Sequence, residues 1–222
     1  MCLPVGRLQE SLINEKGSRE GRVNSNPGQP ETQCRVRQRQ SPRRCMMAGR
    51  IPPFTIEDFK LSPEKRAEIT KGLTDRQAFM TNQWMNLHDK LNVGDWTGFD
   101  EFMDTAKMTY DNPNRPDLGS FAEWSTSPKA LYTTFPPSVY RTLKSWGNGD
   151  DEICVLCHHH GKHTGGPYMG VPPTGNQLDV LWFSWIKFEG DKIVHIYSIS
   201  DVLSMLIDLE VIEAPQPVDP YK

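Results

Sequence analysis

An α+β fold is predicted from three observations. Helical periodicity is confined to the stretch after residue 60, four long strand-like runs follow it, and two-residue turn signals rather than helices separate strands within that second part. Helices first and a meander of strands afterwards define the class.

The elements can be justified in order. Residues 1 to 50 are rich in Arg, Gln, Ser, Gly and Asn and almost devoid of aromatic residues, so they are expected to form a disordered basic extension. As a functional segment it could be an organellar transit peptide or a docking arm. Glu10, Glu15, Glu20 and Glu31 argue against the transit peptide, which is acid-poor. Translation starting at Met46 or Met47 is the plainer expectation.

The domain is expected over residues 60 to 213. Ser62-Pro63-Glu64 starts a helix with a capping hydroxyl, a proline in the first turn and an acid behind it. Thr74-Asp75 starts a longer one, in which Met80, Trp84, Leu87 and Leu91 line one face and Gly94 stops the helix. That face should pack on something large and flat. A short helix is expected across Trp96, Phe99, Phe102 and Met103, then a brief strand at Met108 to Tyr110 and a helix from Phe121 to Tyr132. Strands follow near Tyr140 to Trp146, Ile153 to His163, Leu178 to Phe188 and Lys192 to Ser200, with tight turns at Asn148-Gly149 and Gly190-Asp191. A closing helix over Val202 to Leu209 and a loose tail over residues 214 to 222 complete the chain.

Charge is divided along the chain. Residues 1 to 50 carry ten Lys and Arg against four Glu, whereas the other 172 residues carry fifteen basic and twenty-four acidic side chains. The body is acidic, so no nucleic-acid partner is expected. No apolar run is long enough for a membrane span or a secretory signal, so no membrane partner is expected and the expected location is the cytoplasm. The five cysteines form no disulfide framework. Cys154-Val155-Leu156-Cys157-His158 has the form of a covalent haem site, and with His159, His160 and His163 the form of a zinc site. In an extended strand, however, Cys154 and Cys157 point to opposite faces, so neither metal reading is adopted.

Four short elements keep a recognisable order: Gly161-Lys162-His163-Thr164-Gly165, Gly170-Val171-Pro172-Pro173-Thr174-Gly175, Lys187-Phe188 with Lys192-Ile193, and Tyr197 with Asp201. As a set they resemble the SnoaL-like polyketide cyclases of the NTF2-like superfamily over about residues 74 to 212. The resemblance implies a cone, a strongly curved and mostly antiparallel sheet wrapped by the N-terminal helices around an apolar pocket, and a homodimer through the sheet. It implies a small apolar carbonyl-containing ligand, no metal, no cofactor, and Asp at position 201 as the acid and base of an aldol-type ring closure.

Several residues depart from the family pattern. Tyr197 stands for Trp, His195 for a common Glu and Lys187 for Arg, so the identity of the substrate does not carry over. Strand alternation places Ile193, His195, Tyr197, Ile199 and Asp201 on one face. Asp201 is therefore the first catalytic candidate, set among apolar residues; its plainer role is the cap of the helix that follows. His163 is the second, as donor or relay, against a structural bond to its own loop. His195, Tyr197, Asn112, Trp185 and Trp84 are the expected substrate contacts, although a turn is the plainer role of Asn112. Two other classes compete with a cyclase. One is a non-catalytic binding module in the same cone. The other is an epoxide or ester hydrolase, which needs a positioned water and a second acid paired with arginine; among the strands only Arg141 is offered for that.

Overall fold

A computed structural model of the chain describes residues 56–214, so the expected extension over residues 1 to 50 and all but the first residue of the expected tail lie outside the described residues. Helix α1, Pro63–Thr70, starts where Ser62 Oγ accepts the Lys65 N–H at 3.3 Å, and it buries none of its own residues. Helix α2, Asp75–Asn92, starts with a reciprocal cap: Thr74 accepts from the Gln77 N–H at 3.3 Å and Gln77 accepts from the Thr74 N–H at 3.2 Å. Gly94, at φ 69°, lets the chain leave the helix.

The short helix expected across Trp96 to Met103 is reduced to a 3-10 turn, Phe99–Glu101. Asp95 Oδ1 accepts from both the N–H and the hydroxyl of Thr97, and Gly98 adopts φ 62°. These local bonds compete with the helix and win. The helix expected from Phe121 to Tyr132 is two pieces, α3 (Phe121–Trp124) and α4 (Thr126–Thr134). Pro128 has no N–H to give the Trp124 carbonyl, which accounts for the break at Ser125.

Five strands form one curved, unclosed sheet in the order β1-β5-β4-β3-β2: β1 is Thr109–Asp111, β2 Val139–Gly147, β3 Glu152–Lys162, β4 Gln177–Glu189 and β5 Lys192–Ser200. All neighbours are antiparallel except β1 and β5. Helix α5, Val202–Asp208, follows β5 directly.

Two register shifts bend this sheet. Leu143 is the extra residue of β2, between the pairs Thr142 with Cys157 and Lys144 with Leu156. Val194 is the extra residue of β5, between Phe188 paired with Ile193 and Lys187 paired with His195. The second shift corrects the expectation that Ile193 shares a face with His195, Tyr197 and Ile199. Ile193 and Ile196, three residues apart, are both fully buried in the same core, and Ser198 follows them inward. An inserted residue reverses the alternation after it.

The inner face of the sheet contributes Ile153, Val155, Cys157, Ile186, Phe188, Ile193 and Ile196 to a core that the predicted face of α2, Met80, Trp84, Leu87 and Leu91, covers. A second cluster of Phe135, Leu178, Val180, Met205 and Leu209 closes the other end. On the outer face, Phe59 from a 3-10 turn at Ile56–Phe59 is buried, stacks on His158 at 5.4 Å and carries the Arg141 guanidinium at 5.3 Å. Among the described residues no helix is long and apolar enough to cross a membrane.

Strand β3 passes so close to the end of α4 that a Cβ at Gly161 would lie 2.4 Å from the Phe135 carbonyl oxygen and 2.7 Å from its Cβ. Both are on fully buried structure, so the clash has no soft outlet. Gly161→Ala is expected to cost about 1–3 kcal/mol, the usual range for overpacking. Thermal and denaturant unfolding check this, and an unchanged midpoint would refute it.

Candidate active site

Between α2, α4, α5 and the inner face of the sheet lies a cavity of about 370 Å³, a volume that suits a small organic ligand. Its wall is largely apolar and aromatic, with Trp84, Trp124, Tyr110 and Trp182 contributing flat surface. The polar side chains that line it include His88, Tyr140, His159, Ser198, Ser200, Asn112 and Arg115, and no Asp or Glu is among the described residues that do.

Its polar wall is an aromatic stack. His159 lies against Tyr140 at 4.6 Å with the rings 11° from parallel, and His88 faces Tyr140 from 5.7 Å. Trp84 and Trp182 meet His88 edge-on at 4.6 and 5.7 Å. Helix geometry brings His88 there, four residues after Trp84 on the same face. Strand alternation brings His159 there, two residues after Cys157.

Burial settles the charge of these groups. It drives the His88 imidazole down to about 3, assisted by the charges of Arg66 and His159, and the His159 imidazole likewise to about 3, assisted by His158 and His160. It pushes the Tyr140 phenol upward, against a smaller downward influence of Ser138. The Ser138 hydroxyl, which lies beside the phenol, also bonds to His159 Nε2 at 2.7 Å. His88, His159 and Tyr140 are therefore neutral at physiological pH. Cys157 is pushed up to about 12 by burial in spite of hydrogen bonds from Trp84 and Thr142, which leaves it an inert thiol.

The structure divides the residues singled out in the sequence. Trp84 and Asn112 line the cavity. Trp84 Nε1 points at Cys157 Sγ, 3.4 Å away, and Asn112 donates to Tyr110 Oη at 2.9 Å while accepting from the Asn114 N–H at 2.9 Å. His163 is fully buried outside the lining. Its Nδ1 accepts from the Thr174 N–H at 3.3 Å and its Nε2 donates to the Gly166 carbonyl at 3.2 Å, so it ties the two ends of its glycine-rich loop together.

His195, Tyr197 and Trp185 lie on the outer face, as the reversed alternation after Val194 requires. His195 Nδ1 pairs with the Thr109 hydroxyl at 2.8 Å, its ring meets Trp185 edge-on at 5.3 Å, and Trp185 Nε1 donates to Glu152 at 2.9 Å. This corrects the expectation that His195 and Tyr197 share the pocket face. Ile196, Ser198 and Ser200 take that place. Asp201 caps α5: one carboxylate oxygen accepts the Ser204 N–H at 3.0 Å and the other its hydroxyl at 2.6 Å. Its neighbours Ser200 and Val202 line the cavity, whereas its own side chain meets Ser204 rather than apolar walls.

Sequence reasoning missed His88, Tyr140 and Arg115. A histidine on the apolar face of α2 was the available signal for the first. Arg115, in the loop after β1, lines the cavity in a two-bonded pair with Asp117 at 2.9 and 2.7 Å, whereas Arg141 lies outside it. Among the described residues no group of three or more His, Cys, Asp or Glu is arranged to hold a metal ion.

A model of the SnoaL-like polyketide cyclase family matches residues 79–209, more than half of the chain. No curated protein sequence matches. Among solved structures, a candidate SnoaL-like polyketide cyclase from Jannaschia sp. CCS1 superposes with a TM-score of 0.55 at 17% identity, over 65% of this chain and 99% of that one. IdmH, a candidate polyketide cyclase from Streptomyces antibioticus, gives 0.52 at 21% identity, over 59% and 98%. AclR from Streptomyces galilaeus, a candidate hydroxylase, gives 0.55 at 16% identity, over 63% and 86%. At these identities the likeness establishes the fold.

The two buried imidazoles fix a dependence of stability on pH. Their folded pKa values of about 3 lie below the ordinary 6.5, so as the pH falls the unfolded chain takes up protons that the folded chain refuses. Stability present in full above about pH 6.5 is lost as the pH falls toward 3, by roughly 1.4 kcal/mol per unit for each imidazole. Melting temperatures measured between about pH 7 and 5 should fall steadily. His88→Phe should flatten that slope, and a slope identical to wild type would refute the assignment.

Proposed function

The chain belongs to the SnoaL-like polyketide cyclase family, and from that premise we propose that it is a cyclase or isomerase, acting without a cofactor on a small apolar carbonyl compound of polyketide type. The observation that carries this reading is the cavity itself, an apolar and aromatic space of about 370 Å³ whose few polar side chains converge on one wall. Ring closure of a compound with two carbonyl groups needs little more than such a space. Holding the two reacting carbons in contact replaces an encounter in solution, and one group that removes a proton beside a carbonyl can return it to the new alkoxide.

For that proton transfer we propose Asp201. Its position between two lining residues supports the assignment, and to act it must exchange its two bonds to Ser204 for the substrate. A cap that opens in this way keeps the charge of the carboxylate satisfied at rest, at the start of α5, and releases it only against a bound ligand. The rival reading, a binding module without turnover, is favoured by the same cap if it never opens.

Enolisation separates the two readings before the natural substrate is known. Aryl methyl ketones incubated with the full chain in heavy water should take up deuterium beside the carbonyl faster than in buffer, as followed by NMR. Asp201→Asn should melt close to wild type, because Asn also caps a helix, and should lose on the order of a hundred- to ten-thousand-fold in exchange rate. An Asn variant that exchanges as fast as wild type removes Asp201 from the reaction. Binding of the ketones with no exchange above background would establish the module instead.

A further inference from the structure

Tyr110 is the residue of β1 that turns inward. Thr109 and Asp111 on either side of it are exposed, whereas its ring is half-buried and packs against the main core. Strand pairing sets it beside Ile196 of β5, and both residues line the cavity. The ring is held by the sheet, so the direction of its hydroxyl is left to the polar group next to it.

That group is Asn112. Its Oδ1 accepts the Asn114 N–H at 2.9 Å, which fixes the orientation of the amide, and its Nδ2 donates to Tyr110 Oη at 2.9 Å. The phenol oxygen therefore receives a proton from Asn112 and must point its own proton elsewhere. Among the described residues no acceptor bonds that proton. Asn112 itself is engaged at both its oxygen and its nitrogen, so the ligand contact expected of it passes to the phenol that it orients.

We propose that the Tyr110 hydroxyl is a hydrogen-bond donor to the ligand, turned by Asn112 toward the carbonyl oxygen of an uncharged compound in the cavity. This rests on the cavity being the ligand site. Asn112 acts through the phenol and is a positioning residue.

The surroundings select the acceptor. The Arg115 guanidinium lies within electrostatic reach of the Tyr110 and Tyr168 phenols, so a cationic group beside them would be repelled. A carboxylate meets the opposite difficulty. Arg115 already holds Asp117 through Nε and Nη2 at 2.9 and 2.7 Å, and a second anion would face the first. An aliphatic chain leaves the phenol proton without an acceptor. A carbonyl oxygen satisfies it without bringing a charge, and the bond strengthens if the ligand enolises and charge develops on that oxygen.

A neutral acyl-dimethylaminonaphthalene ketone tests this, because its emission moves to longer wavelength when its carbonyl accepts a hydrogen bond. Bound to the full chain, it should emit in the hydrogen-bonded form. Tyr110→Phe keeps the ring and should fold. It should bind the probe roughly three- to tenfold more weakly, the worth of one hydrogen bond, with emission shifted to the blue. Asn112→Asp keeps an acceptor for the Asn114 N–H but presents a carboxylate oxygen to the phenol, which captures its proton. The same weakening and blue shift should follow, and the double variant should be no weaker than either single one.

Each other outcome decides the matter. A folded Tyr110→Phe with unchanged affinity and emission overturns the donor and leaves the cavity as the ligand site. Weaker binding without the blue shift marks a packing effect and overturns it too. Losses that add in the double variant overturn the positioning role of Asn112. Should Tyr110→Phe fail to fold, Asn112→Asp decides alone: a blue shift supports the donor and unchanged emission overturns it. Failure of the wild-type chain to bind the ketone overturns the cavity reading and the donor with it.

Discussion

The contact between the apolar face of α2 and the inner face of the sheet is the constraint from which the rest of the domain follows. Met80 and Leu87 lose all exposure there, and each such side chain contributes about 1.5–3 kcal/mol through its removal from water. Where they touch, Met80 and Leu87 join Ile153, Val155 and Ile186 in one packed core. Trp84, Leu87, His88 and Leu91 of the helix and Tyr140, Trp182 and Ile196 of the sheet also line the cavity. The second cluster around Phe135, Leu178 and Met205 closes its far side. The loops after β1 and β3 complete the lining through Asn112, Arg115 and Tyr168.

Most of the fold was legible because its signals are local. Ser62, Thr74 and Ser120 each cap a helix through bonds made within three residues, and the alternation of β4 runs unbroken from Leu178 to Phe188. Two kinds of information were not local. The bulge at Val194 leaves no mark in the sequence, since Lys-Ile-Val-His-Ile-Tyr reads as a regular strand, yet it turned His195 and Tyr197 away from the cavity and brought Ser198 and Ser200 to it. The break at Ser125 was within reach, because Pro128 was visible, but a single proline near a helix start is usually tolerated.

The site shows the same division. Trp84 and Asn112 were found through helix periodicity and turn chemistry, and both line the cavity. His88 lies on the face that periodicity identified, but whether its nitrogens find partners depends on Tyr140 and Trp182, which are 52 and 94 positions further along the chain. Satisfaction of buried polar groups is a tertiary property, and no spacing rule reports it. His163 illustrates the reverse: its loop signature was plain, and the structure gives both ring nitrogens to Thr174 and Gly166.

The distribution of charge around the cavity follows from the cost of burying it. An ionised carboxylate in the wall would forfeit several kcal/mol of hydration even after relaxation, whereas a neutral imidazole or phenol forfeits the worth of one or two hydrogen bonds. Two acids that adjoin or pair with lining residues have partners of their own. Asp201 is bound by Ser204 at the start of α5, and Asp117 by Arg115, whose guanidinium holds that carboxyl below the usual carboxylate range. His88, His159 and Tyr140 are neutral, and the apolar surface of Trp84, Trp124 and Trp182 lowers the local polarity around them. In such surroundings a hydrogen bond to a developing negative charge is worth more than it is in water, so neutral groups can still discriminate between a ketone and its enolate.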